Sequence, residues 1–167
     1  VGELNKNKNH EVVIRALAEE RNNRIHYIIC GEGILKKKLE KLSIQLGVNT
    51  RIHFLGFRND ISNIYKISDL FIFPSYREGL SVSVMEAMAS GLPIICSNIR
   101  GNIDLVIENS GGYLFKPDDI KNVAQKIKEF YKNKSLRTEF GEYNKSRIKL
   151  FSISNIINEV KKIYSEV

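Results

Sequence analysis

Short apolar segments alternate with helical patterns along almost the whole chain, and this alternation limits the fold more than any other feature. The apolar segments are rich in Ile and Phe and contain almost no polar residue. Strands that are apolar on both faces belong in parallel sheets that are covered by helices on both sides. The predicted strands are residues 25–30, 51–55, 70–74, 93–96 and 112–115.

Helical patterns fill the intervals between these strands, and local start and stop signals support them. Gly47 is a predicted C-terminal cap, Gly91 and Pro93 end a later helix, and Asn9 and Asp118 are predicted N-caps. Crossovers of this length predict an α/β fold with a doubly wound, Rossmann-like parallel sheet. The predicted helices are residues 10–20, 34–46, 61–67, 81–90, 102–108, 120–131, 135–146 and 152–165.

The length of 167 residues suits one domain, so we expect residues 1–167 to form a single domain. The chain begins with Val1 within what reads as a strand end, so we expect it to be part of a longer protein. Its apolar runs are shorter than the about 18–20 residues that are needed to span a bilayer.

Cys30 and Cys96 each end an apolar segment, which predicts buried, free thiols in a cytoplasmic protein, with a disulfide as the less favoured alternative.

The net charge of +7 raises the question of a nucleic-acid partner. Basic residues are spread along the predicted helices, with no Arg-rich arm and no interleaving of aromatic and basic residues that would stack bases. Lys also shares A/T-rich codons with the abundant Ile and Asn, which offers a second explanation of the surplus. We therefore expect no nucleic-acid partner. Weak peripheral contact with the anionic inner face of a membrane remains an alternative, because a basic surface is attracted to anionic lipids.

The candidate chemistry lies at the carboxyl ends of the predicted strands, where open parallel sheets bind their ligands. Glycines cluster there, at Gly2, Gly31, Gly33 and Gly56, and glycine lets a backbone approach a ligand closely. Gly31-Glu32-Gly33 alone is a weak signal, because it lacks the third glycine of a dinucleotide fingerprint. No P-loop pattern and no metal-ligand spacing of Asp, His or Cys occurs, so we expect no metal.

The most informative segment is residues 73–93, in which a strand, a turn at Glu78-Gly79 and a helix from about Ser81 follow one another. The first amides of such a helix are unpaired donors with a positive partial charge. They suit a phosphate group.

Glu86 lies about one turn into this helix, among residues that are nearly all apolar. A helix apolar all round is buried, and a buried carboxylate is costly unless something donates to it. One interpretation is that the carboxylate accepts both hydroxyls of a ribose diol. The equally weighted alternative is simple stabilisation by the helix dipole.

Glu78 in the preceding turn is a candidate to bind a sugar hydroxyl or to act as a general acid, against the alternative of an exposed loop carboxylate. Glycosidases also use paired carboxylates, about 5–9.5 Å apart. A hydrolase is disfavoured because one member of this pair lies in a helix beside a terminus that suits phosphate.

Glu78 and Glu86, with seven residues between them and residues 87–93 following, closely resemble the E-x7-E signature of the family-4 retaining glycosyltransferases. These enzymes, also called glycosyltransferases group 1, have the two-domain GT-B fold. The resemblance covers nearly the whole chain and implies the C-terminal, donor-binding domain. It rests also on segments at familiar spacing, which are residues 1–4 with 8–9, 31–33, 54–56, 68–70 with 74–75, and 112–114.

The resemblance implies a role for each candidate residue. Glu86 would hold the ribose of a nucleoside diphosphate sugar such as a UDP-sugar, and Glu78 a hydroxyl of the transferred sugar, as the catalytic candidate. Lys8 would pair with the diphosphate, and no metal is needed because cations and the helix dipole offset the leaving-group charge. Amides around Ser81, Val82 and Ser83 would hold the diphosphate, and the base would be flanked by Leu55, Phe57 and Arg58. The other implied donor-site residues are Gly31, Gly33, Gly79 and Leu80.

Many members of the family carry Arg where this chain has Glu3, and a carboxylate there cannot donate to a diphosphate. Lys6 or Arg100 would then work with Lys8, or Glu3 would point away. The resemblance further implies an acceptor, a surface glycan or lipid-linked saccharide, that binds an N-terminal domain outside this chain. The alternatives are a non-catalytic nucleotide-sugar-binding module and, less favoured, a sugar-nucleotide epimerase or a phosphorylase of the same fold.

Overall fold

The computed structural model describes residues 1–155, 157, 161 and 164. The predicted helix at residues 152–165 therefore lies largely outside the described residues. Helices and strands follow one another in the predicted order, with two short 3-10 turns at Asn49–Arg51 and Lys149–Phe151. The helices are α1 (His10–Glu20), α2 (Lys36–Gln45), α3 (Ile61–Lys66), α4 (Val82–Ala89), α5 (Arg100–Ile103), α6 (Ile120–Lys132) and α7 (Lys134–Ile148). The strands are β1 (Tyr27–Cys30), β2 (Ile52–Gly56), β3 (Phe71–Phe73), β4 (Ile94–Ser97) and β5 (Gly112–Phe115).

The three pairings between the described strands are parallel, which confirms the predicted class of sheet. Strand β4 is buried along its whole length, because β3 and β5 flank it and helices cover it. In its register Ile94 lies opposite Phe71 on one side and Gly112 on the other. A strand buried on both faces has no place for an alternating polar residue, which is why Ile94, Ile95 and Cys96 follow one another without one.

The strands form two sheets, β1–β2 and β3–β4–β5, rather than one continuous sheet. A cleft of about 390 Å³ lies between the facing edges of β1 and β3, and Tyr27, Ile28 and Phe71 are among its lining residues. One of the two hydrophobic core clusters nevertheless spans both sheets, since it contains Leu17 of α1, Ile29 of β1 and Ile95 of β4. The arrangement is α/β and Rossmann-like, with helices covering parallel strands.

The local signals at helix ends are partly confirmed. Gly47 has a φ of 67° and follows α2 as predicted. Asn9 is at the start of α1, in a left-handed conformation with a φ of 46°, and makes no cap bond. Its side-chain amide donates to the Pro117 oxygen at 2.7 Å. The predicted cap Asp118 is wrong by one residue, since the side chain that accepts from the α6 backbone is that of Asp119.

Helix α5 is the least well predicted element, because it covers Arg100–Ile103 instead of residues 102–108. The buried side chain of Asn102 donates to the Ser97 oxygen at 2.9 Å and ties this short helix to the end of β4. This tertiary bond cannot be predicted from the helical periodicity of the sequence.

The predicted state of the thiols is confirmed, since Cys30 and Cys96 are both free and buried. None of the helices in the described part of the chain is both long enough and apolar enough to cross a bilayer.

Candidate functional site

The first loop, residues 2–8, runs along the carboxyl end of β1. The Gly2 amide donates to the Cys30 oxygen at 2.9 Å, and the Leu4 amide donates to the Glu32 oxygen at 2.8 Å. A Cβ on Gly31 would collide with the Gly2 oxygen, and one on Gly33 would lie 2.5 Å from the Leu4 oxygen. These two glycines are therefore needed for contact with the chain's own backbone. Their contact with a donor stays a prediction.

Lys8 and Glu78, the candidate phosphate partner and the candidate catalytic residue, are in direct contact. The Lys8 Nζ lies 2.7 Å from the Glu78 Oε1, and both side chains are mostly buried, at 21% and 17% exposure. Lys8 also lies over the ring of Phe73, 5.0 Å from its centroid, at the end of β3. The two residues come together because the first loop and the turn after β3 meet at the same edge of the molecule.

Asn7 is a functional candidate that sequence reasoning missed. Its backbone oxygen accepts from the Tyr76 amide at 2.8 Å, and its side chain bonds to Arg77 and Glu78. Because Asn is common in loops, its position next to Lys8 is the one sequence signal that could have identified it as a candidate. Gly101 is a second missed residue, because a Cβ there would collide with the Gly79 oxygen and lie 2.8 Å from the Glu78 oxygen.

The prediction that Glu86 is buried is wrong, because its side chain is exposed. Helix α4 buries one face, formed by Val84, Ala87 and Met88, while Val82 on the other side is 63% exposed. The apolar residues of this helix therefore do not all face a core, and the cost of a buried charge gives no argument for a ligand at Glu86. The assignment of Glu86 to the donor ribose then rests on the resemblance and on its place near the strand ends.

Tyr65 of α3 is the residue that contacts Glu86. Its hydroxyl lies 3.3 Å from the Glu86 Oε2 and 3.3 Å from the Ser83 oxygen, so it joins α3 to the first turns of α4. Burial raises the pKa of Tyr65 well above its usual value, and the negative charge of Glu86 raises it further. The phenol therefore stays protonated and donates to the carboxylate at neutral pH.

The amino end of α4 begins at Ser81, which makes no side-chain cap bond in the described structure. The Ser81 and Ser83 hydroxyls lie 3.1 Å apart. Leu80 and Val82 are half or more exposed, so this helix end faces open space. The first amides of α4 can therefore receive an anion from outside.

The candidates for the base lie at the end of β2, beside Gly31. The Gly31 amide donates to the Gly56 oxygen at 2.7 Å, so the two strand ends are joined. Leu55 is 43% exposed and Phe57 80% exposed, which leaves apolar surface open at this edge. The Arg58 guanidinium makes a bidentate pair with Asp60, at 2.6 and 2.8 Å.

Glu3 is exposed and accepts from the Asn5 side chain within its own loop, at 2.9 Å. Neither Lys6 nor Arg100 makes a described side-chain contact with Lys8 or Glu78.

In the described part of the chain, no three His, Cys, Asp or Glu side chains come together in a group that could hold a metal ion. The cleft between β1 and β3 includes none of Lys8, Glu78 and Glu86 in its lining.

Known proteins resemble this chain in sequence and in fold. A relative from Escherichia coli, UDP-Gal:alpha-D-GlcNAc-diphosphoundecaprenol alpha-1,3-galactosyltransferase, is 32% identical over 142 residues, or 84% of this chain and 37% of that protein. The crystal structure of Anabaena HepE in complex with UDP matches 99% of this chain and 47% of its own length, with a TM-score of 0.92 and 23% identity. The chain thus spans less than half the length of either protein.

A third similar protein is the C-terminal domain of LpcC, a glycosyl transferase group 1 family protein from Francisella tularensis. It matches with a TM-score of 0.84 and 24% identity over 92% of this chain and 84% of that domain. The fold is therefore that of the C-terminal half of a GT-B glycosyltransferase. The sequence profile of the family Glycosyl transferases group 1 matches residues 1–147. With most of its length matched, this chain belongs to the group 1 glycosyltransferases.

Proposed function

We propose that this chain is the donor-binding half of a retaining glycosyltransferase that uses a nucleoside diphosphate sugar. The observation that carries the proposal is the 2.7 Å contact of Lys8 with Glu78. It places a cation and a carboxylate together at the carboxyl edge of the strands, where open α/β sheets bind ligands. A diphosphate needs the first of these groups and a sugar hydroxyl needs the second.

Each group has a distinct task in the proposed reaction. As the bond between the sugar and the diphosphate breaks, negative charge grows on the departing phosphate oxygen. Lys8 and the first amides of α4 would stabilise that charge without a metal. Glu78 would accept a hydrogen bond from a hydroxyl of the transferred sugar, and Glu86 would accept from the ribose.

The relatives support a nucleotide sugar and a glycan acceptor. The Escherichia coli relative is named for UDP-Gal as donor and a diphosphoundecaprenol-linked GlcNAc as acceptor, and Anabaena HepE was crystallised with UDP. We infer for this chain a hexose donor and a polysaccharide or lipid-linked acceptor in surface glycan synthesis. The acceptor would bind a second domain, and contact with the inner face of a membrane would bring a lipid-linked acceptor within reach.

A thermal-shift screen of UDP-glucose, UDP-galactose, GDP-mannose and ADP-glucose tests the donor proposal. A ligand at 100 times its dissociation constant adds about 2.7 kcal/mol to folding stability, which is a clear rise in melting temperature. We expect at least one sugar nucleotide to give this rise, and the bare sugar to give none. If no nucleotide in the panel shifts the melting temperature at millimolar concentration, the proposal is wrong.

The second candidate, a binding module without catalysis, predicts the same shifts but no transfer. The two differ in the parent protein, where radiolabelled sugar from the selected donor should pass to a lipid extract. Glu78→Gln should abolish this transfer and retain nucleotide binding. A parent protein that binds the donor tightly and transfers no sugar to any extract or to water would favour the module.

A further inference from the structure

The side chain of Asn7 pairs with the backbone of Arg77 in the manner of a neighbouring strand. Its Nδ2 donates to the Arg77 oxygen at 2.9 Å, and its Oδ1 accepts from the Arg77 amide at 3.1 Å. The Asn7 backbone oxygen accepts a third bond, from the Tyr76 amide at 2.8 Å. Three bonds from one residue thus join the first loop to the turn after β3, across seventy positions of the chain.

The same Asn7 amide also lies 3.3 Å from the Glu78 Oε1. Lys8 donates to this oxygen as well, at 2.7 Å. Both described hydrogen bonds of Glu78 therefore engage Oε1, and Oε2 accepts from no residue in the described part of the chain. Two donors on one oxygen restrict rotation of the carboxylate, and the side left for a ligand is that of Oε2.

We propose that Asn7 is a positioning residue that orients Glu78 toward the sugar of the donor. This inference rests on the proposed function. Asn7 acts by fixing the Glu78 turn through Arg77 and by holding Oε1. The Glu78 side chain then loses no conformational entropy when Oε2 binds a sugar hydroxyl. Lys8 would serve the diphosphate, whereas Asn7 would affect only the part of the affinity that the sugar adds.

The chemistry of the site requires a carboxamide at position 7. Alanine would remove the donor and the acceptor together. Aspartate would keep the acceptor for the Arg77 amide but would place a second negative charge against the Arg77 oxygen and Glu78. Asn5 is a matched control from the same loop, since its side chain bonds to Glu3 and to the Lys8 amide and to no residue of the turn.

The test is calorimetry on the whole 167-residue chain with UDP-glucose, GDP-mannose and ADP-glucose, each beside UDP, GDP or ADP. The quantity of interest is the ratio of the dissociation constant of the diphosphate to that of its sugar nucleotide. For a pair that wild type binds, we expect Asn7→Ala to reduce this ratio about five- to tenfold, the loss typical of one ordinary hydrogen bond. Asn7→Asp should reduce it at least as much, and Asn5→Ala should leave it unchanged.

Two outcomes would overturn the role of Asn7 while leaving the proposed function intact. The ratio could stay unchanged in Asn7→Ala, or the diphosphate and the sugar nucleotide could lose affinity equally, which would mark Asn7 as a structural loop residue. If wild type binds none of the six nucleotides, the proposed function fails instead. Amide hydrogen exchange then still tests the contact: exchange at Arg77 must accelerate in Asn7→Ala and not in Asn5→Ala, and equal rates would contradict it.

Discussion

The ammonium of Lys8 lies 2.7 Å from the carboxylate of Glu78, although seventy positions separate the two residues in the chain. Their contact couples the candidate phosphate partner to the candidate sugar partner. A donor that draws Lys8 toward its diphosphate would also change the surroundings of Glu78. Substitutions around this pair are therefore expected to separate the contributions of phosphate and sugar to binding.

Replacing Lys8 by alanine should weaken binding of the nucleoside diphosphate about tenfold or more, because hydrogen bonds to charged groups contribute about 1.5–3 kcal/mol. The bare nucleoside should bind as it does to wild type, because it lacks the phosphates. Calorimetry with UDP and uridine measures both affinities, or GDP and guanosine if the screen selects GDP. Lys132→Ala, at the exposed end of α6, serves as the control. An equal loss for nucleoside and diphosphate would speak against the phosphate role.

Replacing Glu86 by alanine should weaken binding of the nucleoside diphosphate about tenfold, because a carboxylate that accepts from the ribose hydroxyls is lost. Folding stability should change little, since this side chain is exposed and its described bond, to Tyr65, is 3.3 Å long. Calorimetry and urea unfolding measure the two effects. Glu139→Ala, an exposed carboxylate on α7, should leave both unchanged. Unaltered affinity in the Glu86 variant would refute the ribose assignment.

Gly101 and Gly79 form a matched pair for testing how α5 supports the Glu78 turn. A Cβ on Gly101 would collide with the Gly79 oxygen, whereas a Cβ on Gly79 meets nothing within 4 Å. We expect Gly101→Ala to lower the free energy of unfolding by about 1–3 kcal/mol, as overpacking does. Gly79→Ala should cost less than about 0.5 kcal/mol, as surface substitutions do. Urea unfolding measures both free energies. Equal stability of the two variants would show that the backbone at Gly79 moves away from a Cβ at position 101 at no cost, and would contradict the prediction.

Acid should destabilise the fold through His10. Burial, with nearby positive charges at the chain's first amino group and at Lys8, lowers the pKa of His10 from 6.5 to about 3. Because the unfolded chain then binds the proton first, stability is full above pH 6.5 and falls as the pH drops toward 3. The expected slope is about 1.4 kcal/mol per pH unit in this window.

Urea unfolding at pH 7.5 and at pH 5.5 measures the loss of stability across the upper part of this window. In His10→Gln the contribution of His10 should vanish, so the variant should lose less stability between the two pH values than wild type. His26→Gln, at an exposed position, should leave the His10 contribution in place. The same pH dependence in His10→Gln and wild type would contradict the buried, neutral state of this imidazole.

The two cysteines should not react with a thiol reagent in the folded protein. Cys30 and Cys96 are 2% and 0% exposed. Burial raises the pKa of both thiols, so the reactive thiolate is scarce. Labelling with a chromogenic disulfide at pH 8 should therefore be slow in buffer and complete in denaturant. Rapid labelling of the native protein would show that the core around β1 or β4 opens readily.

Much of the fold could be predicted from the sequence because its signals are local. The bounds of α1 and β5 follow from periodicity and from apolar runs, and they match the structure residue for residue. Glu78 and Lys8 could be named as candidates because a turn before a helix and a lysine in a strand-end loop are visible along the chain. Their contact could not, because it depends on how the two loops fold over the sheet edge.

The sequence by itself determined the order of elements, the parallel sheet and the family, since these follow from residues that are neighbours in the chain. Only the tertiary structure decided that Glu86 is exposed, because an apolar helix can bury one face and leave the other open. Tertiary structure likewise decided the roles of Asn7 and Gly101, which depend on contacts with a turn that is distant along the chain. Periodicity records which face of a helix is apolar, whereas the packing of other elements settles which face meets water.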